Sequence, residues 1–141
     1  MEKHAPKADP LHEKTLNLAI RIVRLYNYLA AEKKEYVMSK QLLRAGTNPG
    51  SMVREAVNAE SAIDFIHKLA IAQKETGETL YWLELLFKTN YLSLDEYQSI
   101  NSDALEVMKI IRSAILTKKK NLATKIIPTV IIIAFFLNQI L

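Results

Sequence analysis

Apolar residues recur at three- and four-residue intervals through most of the chain, the spacing of one face of an α-helix. From Leu11 the positions Leu11, Leu18, Ile22, Leu25 and Leu29 keep this spacing, with Thr15 in the one gap. A second strip, Leu16, Ile20, Val23 and Tyr26, runs beside the first. An apolar arc this wide predicts a first helix that buries more than one side. The polar run from Ala31 to Glu35 is the expected connection.

The second helix is predicted to begin between Tyr36 and Ser39. Leu42, Ala45, Pro49, Met52, Ala56 and Ala59 keep their register through Gly46 and Pro49. Proline removes one backbone donor and strains the preceding turn, so an unbroken helix there must kink near Pro49. The alternative is two short helices; the continuous register favours the kink. Small residues at Ala45, Gly46, Ser51 and Ala56 leave room for a neighbouring helix to approach.

Ser61 or Asn58 can cap a third helix running from about Ala62 to Lys88. Its inner stripe is Ala62, Ile66, Leu69, Gln73, Thr76, Leu80, Leu83 and Phe87. Gln73 and Thr76, next to Gly77, predict a tight, hydrogen-bonded helix crossing. Asp64 with Lys68, Lys74 with Glu78, and Glu84 with Lys88 are spaced for i,i+4 ion pairs on the solvated side. Ile71, Tyr81 and Trp82 share that outer side, and apolar bulk there predicts a contact between subunits. Ser93-Leu94-Asp95-Glu96 is a capping box that opens a fourth helix at Leu94. Tyr97, Ile100, Ala104, Val107, Ile111 and Ala114 form its buried face, and the basic patch around Lys118 is its expected end. Four helices with short links predict an all-α, up-down-up-down four-helix bundle.

Beyond the patch the character changes. Ile126 to Leu137 carries no charge, and basic residues precede it. The expected organisation is a flexible arm over residues 1–10, the bundle over 11–120, and a basic-then-apolar tail over 121–141. A helix over the last 16 residues would span about 24 Å, short of the hydrocarbon core of about 30 Å. A short membrane anchor through residues 126–141 is one reading of the tail, supported by its positive flank. An extension buried in an oligomer and an incidental apolar tail are the others.

The formal charge of +4 changes meaning once it is mapped. Met1 to Glu106 carries 13 basic and 15 acidic residues, net −2, whereas Val107 to Leu141 carries six basic residues and no acid. A nucleic-acid field over the whole bundle is therefore not expected. The chain has no cysteine, which excludes disulfides, thiolate chemistry and Cys-based zinc sites. The opening MEKHAPKADPLHEK lacks an apolar core, so no signal peptide and a cytoplasmic location are expected, with membrane association through the tail as the alternative.

Candidate chemistry is sparse. A di-metal bundle needs an acid-x-x-His pair on each of two helices plus further carboxylates. Asp64 and His67, with Glu60 one turn earlier, fit once; Asp9 and His12 straddle Pro10 in the expected arm. No metal site, no catalytic residue and no cofactor is therefore expected. GTNPG at Gly46 to Gly50 is a helix perturbation rather than a phosphate loop. Arg44, Arg54 and Glu55 have two readings, contact with RNA or a protein partner, or ion pairing between helices or between subunits, with acids such as Glu60, Glu75 and Glu78 nearby. Lys118, Lys119 and Lys120 join them as candidate RNA or partner contacts.

The runs SKQLLRAGT, REAVNAES and DFIHKLAIAQKETGETLYWLELL follow one another in an order and spacing that resemble a known family. It is the four-helix bundle family named after proteins encoded in intervening sequences of bacterial 23S rRNA genes, and the similarity covers about Leu11 to Ser113. The resemblance implies a small bacterial cytoplasmic bundle that assembles into a homopentamer. One branch of the family is the accessory protein of diversity-generating retroelements, which binds structured RNA and a reverse transcriptase through a basic surface. The family's motif positions fall on Gln41 and Arg44, and on Arg54 and Glu55. The net −2 bundle departs from that basic branch, and the apolar tail lies outside the family pattern. The resulting expectation is a non-enzymatic, homo-oligomeric binding or scaffold protein. An RNA-binding accessory protein and a tail-anchored membrane protein are the alternatives.

Overall fold

A computed structural model describes residues 9–140, which form four α-helices: α1 (Pro10–Ala31), α2 (Met38–Val57), α3 (Ala62–Lys88) and α4 (Leu94–Ile140). α1 packs on α2, α2 on α3 and α3 on α4, while α4 closes back onto α1; the diagonal pairs do not approach. This is the up-down-up-down bundle that the sequence pattern predicts. Its core is one apolar cluster that includes Leu18, Ile22 and Leu29 of α1, Leu42 and Val53 of α2, Leu69, Leu83 and Leu86 of α3, and Val107 and Ile111 of α4.

The helix starts follow from capping chemistry. The Asp9 carboxylate accepts from the Leu11 amide at 3.0 Å, with Pro10 in the first turn, where its missing N–H costs nothing. Asp9 and Pro10 therefore belong to the start of α1 rather than to an arm; residues 1–8 of the expected arm lie outside the described residues. Ser61 caps α3 by accepting from Asp64 N at 3.0 Å. The Ser93–Glu96 box closes in both directions, at 2.7 and 3.2 Å.

The cap of α2 was not expected. Glu35, in the polar connection, folds under the helix and is buried. Its carboxylate accepts from the Val37, Met38 and Ser39 amides at 3.0, 2.9 and 2.7 Å, and Ser39 Oγ donates to the Glu35 carbonyl at 2.9 Å. One side chain thus satisfies three of the amide donors that a helix start leaves unpaired. The connection bends through Lys34 at φ 54°, and the α3–α4 turn bends through Asn90 at φ 64°.

α2 is a single helix with Pro49 inside it, not two short ones. Its close approach to α1 occurs at Gly46, where a Cβ would stand 2.7 Å from Ile22 Cγ1. Several other expectations are corrected. Gly77 does not mark a tight crossing: a Cβ there would meet Met108 Cε at an ordinary 3.7 Å, and Thr76 spends its hydroxyl on the Ala72 carbonyl of its own helix. Leu16, Ile20 and Val23 are not buried, because among the described residues no helix packs on that side of α1. The three i,i+4 pairs on α3 do not close: Lys68 and Glu78 pair with residues of α2 instead, and Lys88 stands over the Phe87 ring. Finally, α4 does not end near Lys118. It continues through Pro128 to Ile140, 47 residues in all.

Candidate functional site

Three surfaces collect the residues that the sequence singled out. The first is the polar seam between α2 and α3. Arg44 spans the two helices, donating from Nη1 to Glu75 Oε2 at 3.2 Å and from Nη2 to Glu78 Oε1. Trp82 Nε1 donates to the same Glu78 oxygen at 3.3 Å. Arg44, by its hydrogen bond and charge, holds the Glu78 carboxyl below its ordinary range, and burial opposes it less strongly. Glu78 in turn, with Glu75, pushes the Arg44 guanidinium up. About three turns further toward the end of α2, Glu55 Oε2 accepts from Lys68 Nζ at 2.8 Å.

Arg54 is exposed and donates from Nη1 to the Gly50 carbonyl at 2.9 Å on its own helix. Gln41 is exposed on the same helix. The motif positions Gln41, Arg44, Arg54 and Glu55 thus lie along α2, and Arg44 and Glu55 serve as fasteners to α3. Asp64 accepts at 3.3 Å from the backbone of Glu60, and His67 is exposed. The ion pairs of Arg44 and Lys68 orient helix against helix.

The second surface is apolar. Tyr81 is 56% exposed, while Trp82 and Ile71 are half-buried, with the Trp82 ring packed against the core and edge-on to Tyr81 at 5.1 Å. On α1, Leu16, Ile20 and Val23 are 45%, 40% and 41% exposed. Their spacings of four and three place them on one stripe. The signal for this stripe was present in the wide apolar arc of α1; what the sequence did not reveal was that no helix of the same chain would cover it.

The third surface lies where α4 leaves the bundle. Lys118 Nζ stands 4.8 Å above the ring of Phe65, tying α4 to the start of α3, whereas Lys119 and Lys120 are exposed. Beside them, Asp9, Phe65, Glu106, Lys109 and Lys118 line an open cleft of about 640 Å³ between the starts of α1 and α3 and the body of α4. The cleft mixes both charge signs on an apolar floor.

These features define an all-α bundle whose charged groups fasten helix to helix and whose apolar surplus lies outside. The chain belongs to the 23S rRNA-intervening sequence protein family, whose pattern matches residues 10–113. It is also similar to a crystal structure of a protein of unknown function from the S23 ribosomal protein family of Bacteroides thetaiotaomicron VPI-5482. The two are 52% identical, with a TM-score of 0.74 over 74% of this chain and 97% of that one. No curated protein matches. The match ends at Ser113, so the exposed end of α4 lies outside the family pattern.

Proposed function

We propose that this protein is a non-enzymatic, homo-oligomeric scaffold whose subunits join through exposed apolar positions. The observation that carries the reading is the stripe of Leu16, Ile20 and Val23. Burying such a side chain completely from water is worth about 1.5–3 kcal/mol, and these three are 40–45% exposed, so a partner subunit that covers them recovers roughly half of that at each. Tyr81, beside the half-buried Ile71 and Trp82, is a second apolar position that a neighbour would cover in a closed ring. Five subunits is the number that family resemblance favours.

Introducing charge on the stripe tests this. The triple variant Leu16→Glu, Ile20→Glu, Val23→Glu is expected to sediment as a monomer while keeping its helical circular dichroism, because all three positions are already solvent-accessible in the single chain. An unchanged sedimentation coefficient would remove the stripe from the interface.

An RNA-binding accessory role is the second reading, resting on Arg54 and on the exposed Lys119 and Lys120. Arg44 is less available to it, being held by Glu75 and Glu78. Under this reading, affinity for structured RNA falls steeply with salt and with Arg54→Ala. Binding indifferent to both would exclude it.

A further inference from the structure

The end of α4 is unlike every other helical face in the molecule. From Ile126 to Leu137 every side chain is exposed, and no element of the bundle packs against the helix. The apolar residues are not arranged as a stripe. Ile126, Ile127, Val130 to Ile133 and Phe135 to Leu137 occupy all sides, and a helix apolar all round is one that is surrounded by apolar material. A seam with a second copy of the chain would need only one apolar side and would leave a polar one in water.

The polar groups fit the same surroundings. The hydroxyl of Thr129 is turned back onto the Lys125 carbonyl at 3.4 Å, so it asks for no solvent partner. Pro128 cannot donate to the Thr124 carbonyl, which therefore lies free one turn back, level with Lys125. Lys118, Lys119, Lys120 and Lys125 precede the apolar run, and no acid occurs after Glu106. At about 100° per residue, Lys118 to Lys120 fan through about 200° of the helix circumference, and together with Lys125 they occupy about 10 Å of its length. Lysines spread around the axis suit a helix that passes end-on through a headgroup layer. A helix lying flat on a membrane would carry them on one side.

We infer that the end of α4 inserts end-on into a lipid bilayer with anionic headgroups, the lysine collar standing at the headgroup level and the bundle outside. Ile126 to Ile140 measures about 21 Å as a helix, shorter than the hydrocarbon thickness of about 30 Å, so the bilayer thins around it. Lys125 reaches back to the headgroups along its alkyl stem. Asn138 and Gln139 then stand at the far interface. The free Thr124 carbonyl lies in the hydrated collar rather than in hydrocarbon, where it would be costly.

The test uses the full chain, reconstituted by detergent removal with vesicles of three parts phosphatidylcholine to one part phosphatidylglycerol and floated on a density gradient. The protein is expected to float, and to stay with the vesicles through 1 M salt and alkaline carbonate. Two comparisons accompany it: a chain ending at Thr124 and the full-length Ile132→Lys, Ile133→Lys variant. The shortened chain retains all of residues 10–113, the span that the family pattern matches. Both are expected to lose flotation. A full chain that floats no better than the shortened one, or that salt strips from the vesicles, overturns the inference. Phe135→Trp adds a readout of position, because quenching by lipids brominated deep in the acyl chains is expected. Emission that is already blue-shifted without vesicles and is not quenched by brominated lipid would place the segment against a second copy, and would equally overturn it.

Discussion

Glu35 shows how one side chain can set the start of a helix. Burial pushes its carboxyl up, but the amides of Met38, Ser39 and Val37 and the hydroxyl of Ser39 outweigh burial, and the net shift is downward from 4.5. Glu78 is lowered by Arg44, and Glu96 by the Ser93 amide. A carboxyl whose folded pKa is depressed stabilises the fold above its unfolded value, and that contribution disappears as pH falls through the folded value. Thermal melts should therefore hold from pH 7 to about 5 and decline below about 4.5. Glu35→Ala should cost about 2 kcal/mol at neutral pH, the upper range for a lost helix cap, and should flatten part of the acid decline. A melt insensitive to this change would mean that the three amides find other partners. Gly46 is the steric counterpart. Gly46→Ala places a methyl against Ile22 and should cost about 1–3 kcal/mol by overpacking. Combined with Ile22→Ala, which removes the atoms it meets, the total loss measured by urea unfolding should be smaller than the sum of the two.

At the scale of elements, periodicity and capping signals carried most of the fold. The bounds of α3, the start of α4 at the Ser93–Glu96 box and the passage of α2 through Pro49 all follow from local patterns. What escaped were features set by distance in space rather than in sequence. Glu35 reads as one more charge in a polar run until the chain reverses and brings it under α2. Lys68 and Glu78 have acceptable partners on their own helix, but the α2–α3 packing offers Glu55 and Arg44 instead. The lysines near Lys118 resemble a helix terminus, but nothing after them breaks the helix, which runs on through Pro128. The candidate residues Arg44, Arg54 and Glu55 are visible as a motif, and interhelix pairing of Arg44 with Glu75 and Glu78 is one of its two sequence readings; that Glu55 pairs with Lys68 across the same seam shows only in the structure. Removing the α4 cap by Ser93→Ala with Glu96→Ala should lower stability by about 1–2 kcal/mol in urea unfolding while leaving α1 to α3 paired.

For the whole molecule, the useful distinction is between surfaces that the chain covers for itself and those it leaves open. The α2–α3 seam is closed by ion pairs, and the core is closed by four mutually packed helices. The α1 stripe remains open, as do Tyr81 and the end of α4, and these are the parts of the molecule that look outward. The reading as an oligomeric scaffold makes the α1 stripe the structural counterpart of a core position whose partner lies in another subunit. The end of α4, beyond the family match, calls for a different covering.

The central claim is that the bundle does not stand alone. The most direct measurement is the solution mass of the chain ending at Thr124, by light scattering and native mass spectrometry across a range of concentrations. A single closed species, five times the protomer mass and persisting on dilution, is expected. A protomer mass at every concentration, with Leu16, Ile20 and Val23 left in water, would contradict it.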